Sequence, residues 1–261
     1  MHADLLVICL LAAFLSIDVR TIGGTMLSRP LVVAPLTGLL LGDAKTGFMV
    51  AYFIELVWVG MLPVGAYLPV EVLPVTVVSV YLASAYIHTP GLGSSSESII
   101  MFCIIISIPV GFMSRWLESH IRELNSRLSD YLDREMQEER IPNVEMIQYM
   151  NIAVTLLKGF LVCFIPIFFG NHVLLNVYNS LPDNVKASMG TSFYLVPLVG
   201  IAVVMEIFFM KKYTLHFALS FIAVFVFSFF TRVSPFLIMA LSIFVAILLL
   251  YLGREKKKTS V

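Results

Sequence analysis

RPLVVAPLTGLLLGDAKTGFMVAYFIELVWVGMLPVGAYLPVEVLP, residues 29–74, is apolar enough for a bilayer and yet interrupted along its whole length. It carries Pro30, Pro35, Pro63, Pro69 and Pro74 among Gly38, Gly42, Gly47, Gly60 and Gly65, and it sets Glu55 in the middle of an apolar run. Proline removes a backbone donor and glycine frees φ, so helices here are expected to be short or broken. In hydrocarbon, such backbone persists only where protein or a wet cavity satisfies it. Discontinuous helices whose free ends face a polar solute are one construction of that kind. Residues 30–42 are too few to span upright and read as a half-helix or re-entrant piece, and residues 62–74 read as broken helices.

Working outward, 59% of the 261 residues are hydrophobic and only 13% charged, which implies an integral membrane protein, all-α and polytopic. With 17 basic and 17 acidic residues, nothing favours a nucleic-acid partner. Cys9, Cys103 and Cys163 stand singly in apolar runs and read as buried small hydrophobes, and the five histidines have no ligand spacing, so no metal or cofactor is expected. The N-terminus lacks the basic region and cleavage site of a signal peptide, so Leu5 to Ile17 should remain a membrane helix.

Candidate spans are 3–20, 46–62, 70–88, 97–117, 145–168, 190–210, 213–231 and 235–252, seven to nine membrane segments in all depending on 30–42. Four parts follow: an N-terminal membrane region 1–113 with the interrupted segment 30–74, a cytoplasmic amphipathic helix 114–140, C-terminal membrane helices 141–253, and a basic tail 254–261. Basic residues flanking membrane helices stay in the cytoplasm. Arg254, Lys256, Lys257 and Lys258 place the C-terminus inside, Lys211-Lys212 inside, the loop Asn171 to Lys186 outside, and Arg115–Arg140 inside. In 114–140, Glu118–Arg122, Glu123–Arg127 and Asp130–Arg134 stand at i,i+4. Leu117, Ile121, Leu124, Leu128, Tyr131 or Leu132, and Met136 draw one apolar stripe, which either rests on the membrane surface or docks another subunit.

The ordered set Arg29-Pro30, Pro35-Leu36-Thr37-Gly38, Gly42-Asp43, Gly47, Glu55-Leu56, Gly60 and Pro63-Val64-Gly65-Ala66 resembles the IIC subunit of mannose-class sugar phosphotransferase systems (mannose, fructose, sorbose). The resemblance is sharp over about residues 15 to 75 and elsewhere rests on length and the pattern of apolar segments. It implies a permease in a bacterial plasma membrane that works in a hetero-oligomer with a IID membrane subunit. A phosphorylated IIB protein then transfers phosphate from His to the incoming hexose. It puts Glu55 on the family's membrane-embedded Glu, Gly65-Ala66 on the turn after it, and Glu71 on the acidic position that closes the segment. Pro63 stands where mannose-specific members have Asn, and Gly23-Gly24 where polar or acidic side chains are common.

The residues themselves agree that phosphoryl chemistry belongs to a partner, since no GxSxG, P-loop or HExxH occurs and the chain is expected not to be an enzyme. An ionised Glu55 in mid-helix must be paired or wet, so it is either an ion-pair member with an Arg or Lys of another helix or an acceptor for sugar hydroxyls. Trp58, at i+3, can share that face, or be a core tryptophan. Glu71 and Asp18 are further candidate contacts near helix ends, and Asp18 with Arg20 also reads as a local pair. Two other readings of the chain remain open: an autonomous ion-coupled carrier with Glu55 as its cation site, and a membrane subunit that no longer transports.

A reporter that is active only outside the cytoplasm, fused after Val261, is expected to stay silent. Strong external activity would reverse the orientation.

Overall fold

Because hydrocarbon offers no partner to a backbone amide, a helix that satisfies its own hydrogen bonds is the default element. All regular structure among the described residues is α-helical. The computed structural model describes residues 2–18, 23–60, 68–89, 95–138, 144–208 and 222. The helices are α1 (His2–Ser16), α2 (Pro30–Leu40), α3 (Ala44–Trp58), α4 (Val72–Ile87), α5 (Ser96–Gln137), α6 (Val144–Ser180) and α7 (Asp183–Phe208). The chain divides into two units, residues 1–203 and 204–261. The first holds α1 to α6 and α7 through Val203. The helices expected at 213–231 and 235–252, the Lys211-Lys212 turn, the basic tail, Gly65-Ala66 and Arg20 lie outside the described residues.

At the centre of the first unit stands α4, which packs against α1, α2, α3, α5 and α6. Every residue from Leu73 to Ser84 is buried, which is the all-round burial expected of a helix with no polar face. Its hydroxyls turn inward onto its own backbone, Thr76 Oγ1 donating to Val72 O at 2.8 Å and Ser79 Oγ to Val75 O at 2.6 Å. Such i−4 bonds let a polar side chain sit in an apolar interior at little cost.

The interrupted segment forms a helical hairpin. Pro30 takes the first position of α2, where its missing N–H is no loss. At the far end Gly42 adopts φ +74°, Asp43 N–H donates to Gly38 O at 2.8 Å and Gly42 N–H to Leu39 O at 3.1 Å. This is a Schellman stop, which needs a residue free to enter the left-handed region. Asp43 then caps α3, its carboxylate accepting from Thr46 N–H at 3.1 Å. The two helices touch backbone to backbone: a Cβ added at Gly47 would lie 2.6 Å from Ala34 O and 3.2 Å from Gly38 Cα. At 11 residues α2 is about 16 Å long, a half-helix by length.

Two helices among the described residues are long and apolar enough to cross a membrane, α5 and the Val144–Gly170 part of α6. No break separates a membrane helix 97–117 from an amphipathic helix beginning at 114: α5 is one 42-residue helix capped by Ser95. Of the expected ion pairs on it, Arg122 Nε meets Glu118 Oε1 at 3.3 Å and Arg127 Nη2 meets Glu123 Oε1 at 2.7 Å. Asp130 and Arg134 are not joined; both are exposed, where solvation competes evenly with pairing.

The loop expected at Asn171 to Lys186 is corrected. Helix α6 continues to Ser180, and only Leu181-Pro182 separates it from α7. Tyr178 carries the extension: it is fully buried, its ring lies 5.0 Å from that of Phe102, and its hydroxyl is 3.1 Å from Ser98 Oγ. Ser98 also donates to Lys186 O at 2.8 Å, which ties the start of α5 to the α6–α7 junction.

All three cysteines are free and buried. Asp18 follows α1 and is 1% exposed. Its Oδ1 accepts from Thr25 N–H at 2.7 Å and Thr25 Oγ1 at 2.5 Å, and its Oδ2 from Ser28 N–H at 3.0 Å, so its partners are the residues that lead into α2.

Gly47→Ala drives a methyl into the α2 backbone, and overpacking of this kind costs about 1–3 kcal/mol. A lowered unfolding temperature of the purified protein in detergent is the expected reading, and parental stability would show that the helices can separate freely.

Candidate functional site

The candidate site grows from the start of α2. Arg29 precedes the helix in an extended conformation, and the N–H of Leu31 is one of the donors that an α-helix leaves without an internal acceptor. On α3, opposite this end, Glu55 supplies the acceptor: its Oε2 lies 3.4 Å from Leu31 N and its Oε1 3.4 Å from Arg29 Nη1. Of the two accounts open for Glu55, the cation is thus identified as Arg29, contributed by the run before α2. Both contacts are longer than the usual 2.7–3.2 Å of an N–H···O bond. The carboxylate is therefore held in place by the positive end of α2 and by Arg29 without being saturated. Its side chain keeps 18% of its surface open.

Trp58 does not offer an open ring face. It is 7% exposed and belongs to the core, where Phe53, on the same helix, stacks on Phe193 of α7 at 5.8 Å. Its indole Nε1–H is buried and finds no acceptor among the described residues. An unsatisfied buried donor costs about 1–3 kcal/mol, so this N–H is a latent hydrogen-bond donor one turn from Glu55.

Glu71 occupies the N-cap position of α4 without capping it. Its Oε2 instead accepts from Ser114 Oγ on α5 and from Lys158 Nζ on α6. Lys158 also donates to Glu118 Oε2 at 3.0 Å, and Glu118 Oε1 takes Arg122 Nε at 3.3 Å. The ammonium is almost enclosed, with 5% of its side chain exposed, against 30% for Glu71. Sequence reasoning missed Lys158. The signal was present, since between Glu145 and Asp183 it is the sole Asp, Glu, Lys or Arg, and an isolated ionisable residue in an apolar helix calls for a partner. Asp18 is committed to Thr25 and Ser28. The structure thus gathers the candidates in two places, Arg29–Glu55 beside Trp58, and Glu71–Lys158–Glu118.

A family model described as the PTS system sorbose-specific IIC component matches residues 3–252. The putative N-acetylgalactosamine permease IIC component 2 of Escherichia coli (strain K12) is 44% identical over 50 residues, 19% of this chain and 38% of that protein. The match therefore spans well under two thirds of that relative's length. A solved structure described only as a membrane protein superposes with a TM-score of 0.65 at 20% identity, covering 95% of this chain and 94% of its own, which shows a shared fold. A cryo-EM structure of the mannose transporter ManYZ with microcin E492 covers 96% of this chain and 94% of its own, at 18% identity and a TM-score of 0.45, too low to argue from. With nearly its whole length matched, this chain belongs to the IIC components of the mannose- and sorbose-class sugar phosphotransferase systems, a family of integral membrane permease subunits.

Proposed function

We propose that the protein is the subunit through which a hexose crosses the plasma membrane in a phosphoenolpyruvate-dependent system. A IID membrane subunit completes the path, and a phosphorylated IIB protein phosphorylates the sugar on arrival. The chain contributes binding and translocation, not a catalytic group. Its C-terminus and the charged half of α5 lie in the cytoplasm, and seven to nine segments cross or enter the bilayer.

The observation that carries this reading is the unsaturated Glu55 at the start of α2, held by two 3.4 Å contacts. A sugar must exchange its hydration for equivalent hydrogen bonds, and a charged acceptor makes the strong ones. Glu55 is the principal acceptor, and the orphan Trp58 Nε1–H is the neighbouring donor rather than a stacking platform. Glu71 and Gly65-Ala66 complete the contacts, while Asp18 supports the site from the segment that leads into α2. Two features favour a hetero-oligomer: the apolar stripe residues Leu124, Tyr131 and Met136 are 52%, 53% and 57% exposed on α5, and that half of the helix is too charged to lie in lipid.

Glu55→Gln keeps the shape and one acceptor oxygen and removes the charge. A hydrogen bond to a charged group is worth about 1.5–3 kcal/mol, so uptake should fall roughly ten- to a hundredfold while the protein inserts in normal amount. The measurement is uptake of labelled sorbose and N-acetylgalactosamine, the sugars named in the matched family and relative, by cells that also make the IIA, IIB and IID proteins. Parental uptake by Glu55→Gln would leave Glu55 as a structural partner of Arg29. Accumulation of unmodified sugar driven by an ion gradient would favour the autonomous carrier, and no uptake of any hexose would favour the non-transporting subunit.

A further inference from the structure

Lys158 lies on a helix that carries none of the other candidate sugar contacts, and it is enclosed more completely than either carboxylate it joins. Both it and Ser114 bind the same oxygen of Glu71, Oε2, and no described residue engages Oε1, although the Glu71 side chain keeps 30% of its surface open. We propose that Lys158 is a positioning residue for the sugar site: with Ser114 it anchors Oε2 of Glu71, so that Oε1 is presented to a hydroxyl of the hexose. The inference rests on the sugar-binding reading of Glu71 given above.

Glu71 sits just outside α4, where its backbone is extended (φ −78°, ψ 114°) and its side chain makes no capping hydrogen bond. A carboxylate there samples several rotamers unless something external selects one. Two donors on one oxygen, from two different helices, make that selection. Each donor is itself fixed by packing. Helix α5 passes so close to this point that a Cβ on Gly111 would lie 2.9 Å from Glu71 O, and Ser114 follows three residues later, on the same face. Beside Lys158, a Cβ on Gly159 would lie 2.9 Å from Ala13 Cα and 2.6 Å from Ser16 Oγ, so the lysine backbone is seated where α6 crosses α1.

Glu118, shared with Arg122, gives the ammonium a second carboxylate. Glu71, Glu118, Lys158 and Arg122 together carry no net charge. That balance lets an ammonium be enclosed. A lysine placed only to neutralise a stray carboxylate would not require Ser114 on the same oxygen.

The test is the sugar-concentration dependence of phosphorylating uptake, with labelled N-acetylgalactosamine and sorbose as probes, in membrane vesicles holding the complete complex. Lys158→Met is expected to raise KM about tenfold, the size of one charge-assisted hydrogen bond lost, with the maximal rate within about twofold. Lys158→Arg, which keeps a cation, should restore most of the affinity. Lys158→Met combined with Glu71→Gln should be no worse than the poorer single variant, because both act through one interaction.

A parental KM in Lys158→Met, or additive losses in the double variant, overturns the proposal. Should Lys158→Met fail to accumulate, Lys158→Met/Glu118→Gln, which removes the carboxylate left unpaired, is read in the same way. Failure of both to accumulate while Glu71→Gln accumulates makes the lysine structural and also overturns it. Parental KM in Glu55→Gln and in Glu71→Gln together would instead sink the sugar-site reading itself, whereas an impaired Glu55→Gln beside an unimpaired Lys158→Met sinks only the role of Lys158.

Discussion

A helix that stops inside an apolar environment must find acceptors and donors for the backbone groups it leaves open, and the hairpin of α2 and α3 is arranged around that requirement. At its turn the need is met locally, by the left-handed Gly42 and by Asp43 capping α3. At the open start of α2 it is met from a distance, by the carboxylate of Glu55. The group that completes the helix end is thus a carboxylate that keeps part of its surface open. Leu31 N–H and Arg29 hold this carboxylate only at 3.4 Å.

The two acidic positions of the segment are solved differently. Glu55 has long contacts to one cation and one amide, while Glu71 has a hydroxyl and an ammonium on a single oxygen. A lone charge in mid-membrane costs about 2.5–3.5 kcal/mol on insertion scales, and each carboxylate has a cationic partner, Arg29 for Glu55 and Lys158 for Glu71. The enclosed α4 supports both, because it packs on the hairpin on one side and on α5 and α6 on the other. Small residues make this possible: Gly47 of α3 against α2, Gly111 of α5 against the start of α4, and Gly159 of α6 against α1 each bring backbones closer than a side chain would allow.

Helix α5 links the membrane to water. Its 42 residues extend about 63 Å, roughly twice the hydrocarbon thickness, so its charged half must leave the bilayer without a break in the backbone. The continuity gives Glu118 its place. It lies one turn past Ser114, at the change from apolar to charged sequence, where one carboxylate oxygen reaches the enclosed Lys158 and the other the exposed Arg122.

By itself the sequence determined the features set by local chemistry. Composition decided the membrane class, prolines and glycines decided that α2 is short and that a turn falls at Gly42-Asp43, and the ordered motif from Arg29 to Ala66 decided the family resemblance. All of these depend on dihedral freedom or on residues within a few positions of one another. Periodicity failed at Asn171 to Ser180, a stretch with three asparagines and a histidine that reads as a loop until Tyr178 meets Phe102 on α5. The partners of the buried charges were decided only by the tertiary structure. Arg29 and Glu55 are 26 residues apart and Glu71 and Lys158 are 87, and no local pattern encodes which cation a carboxylate meets when several helices must first pack to bring them together.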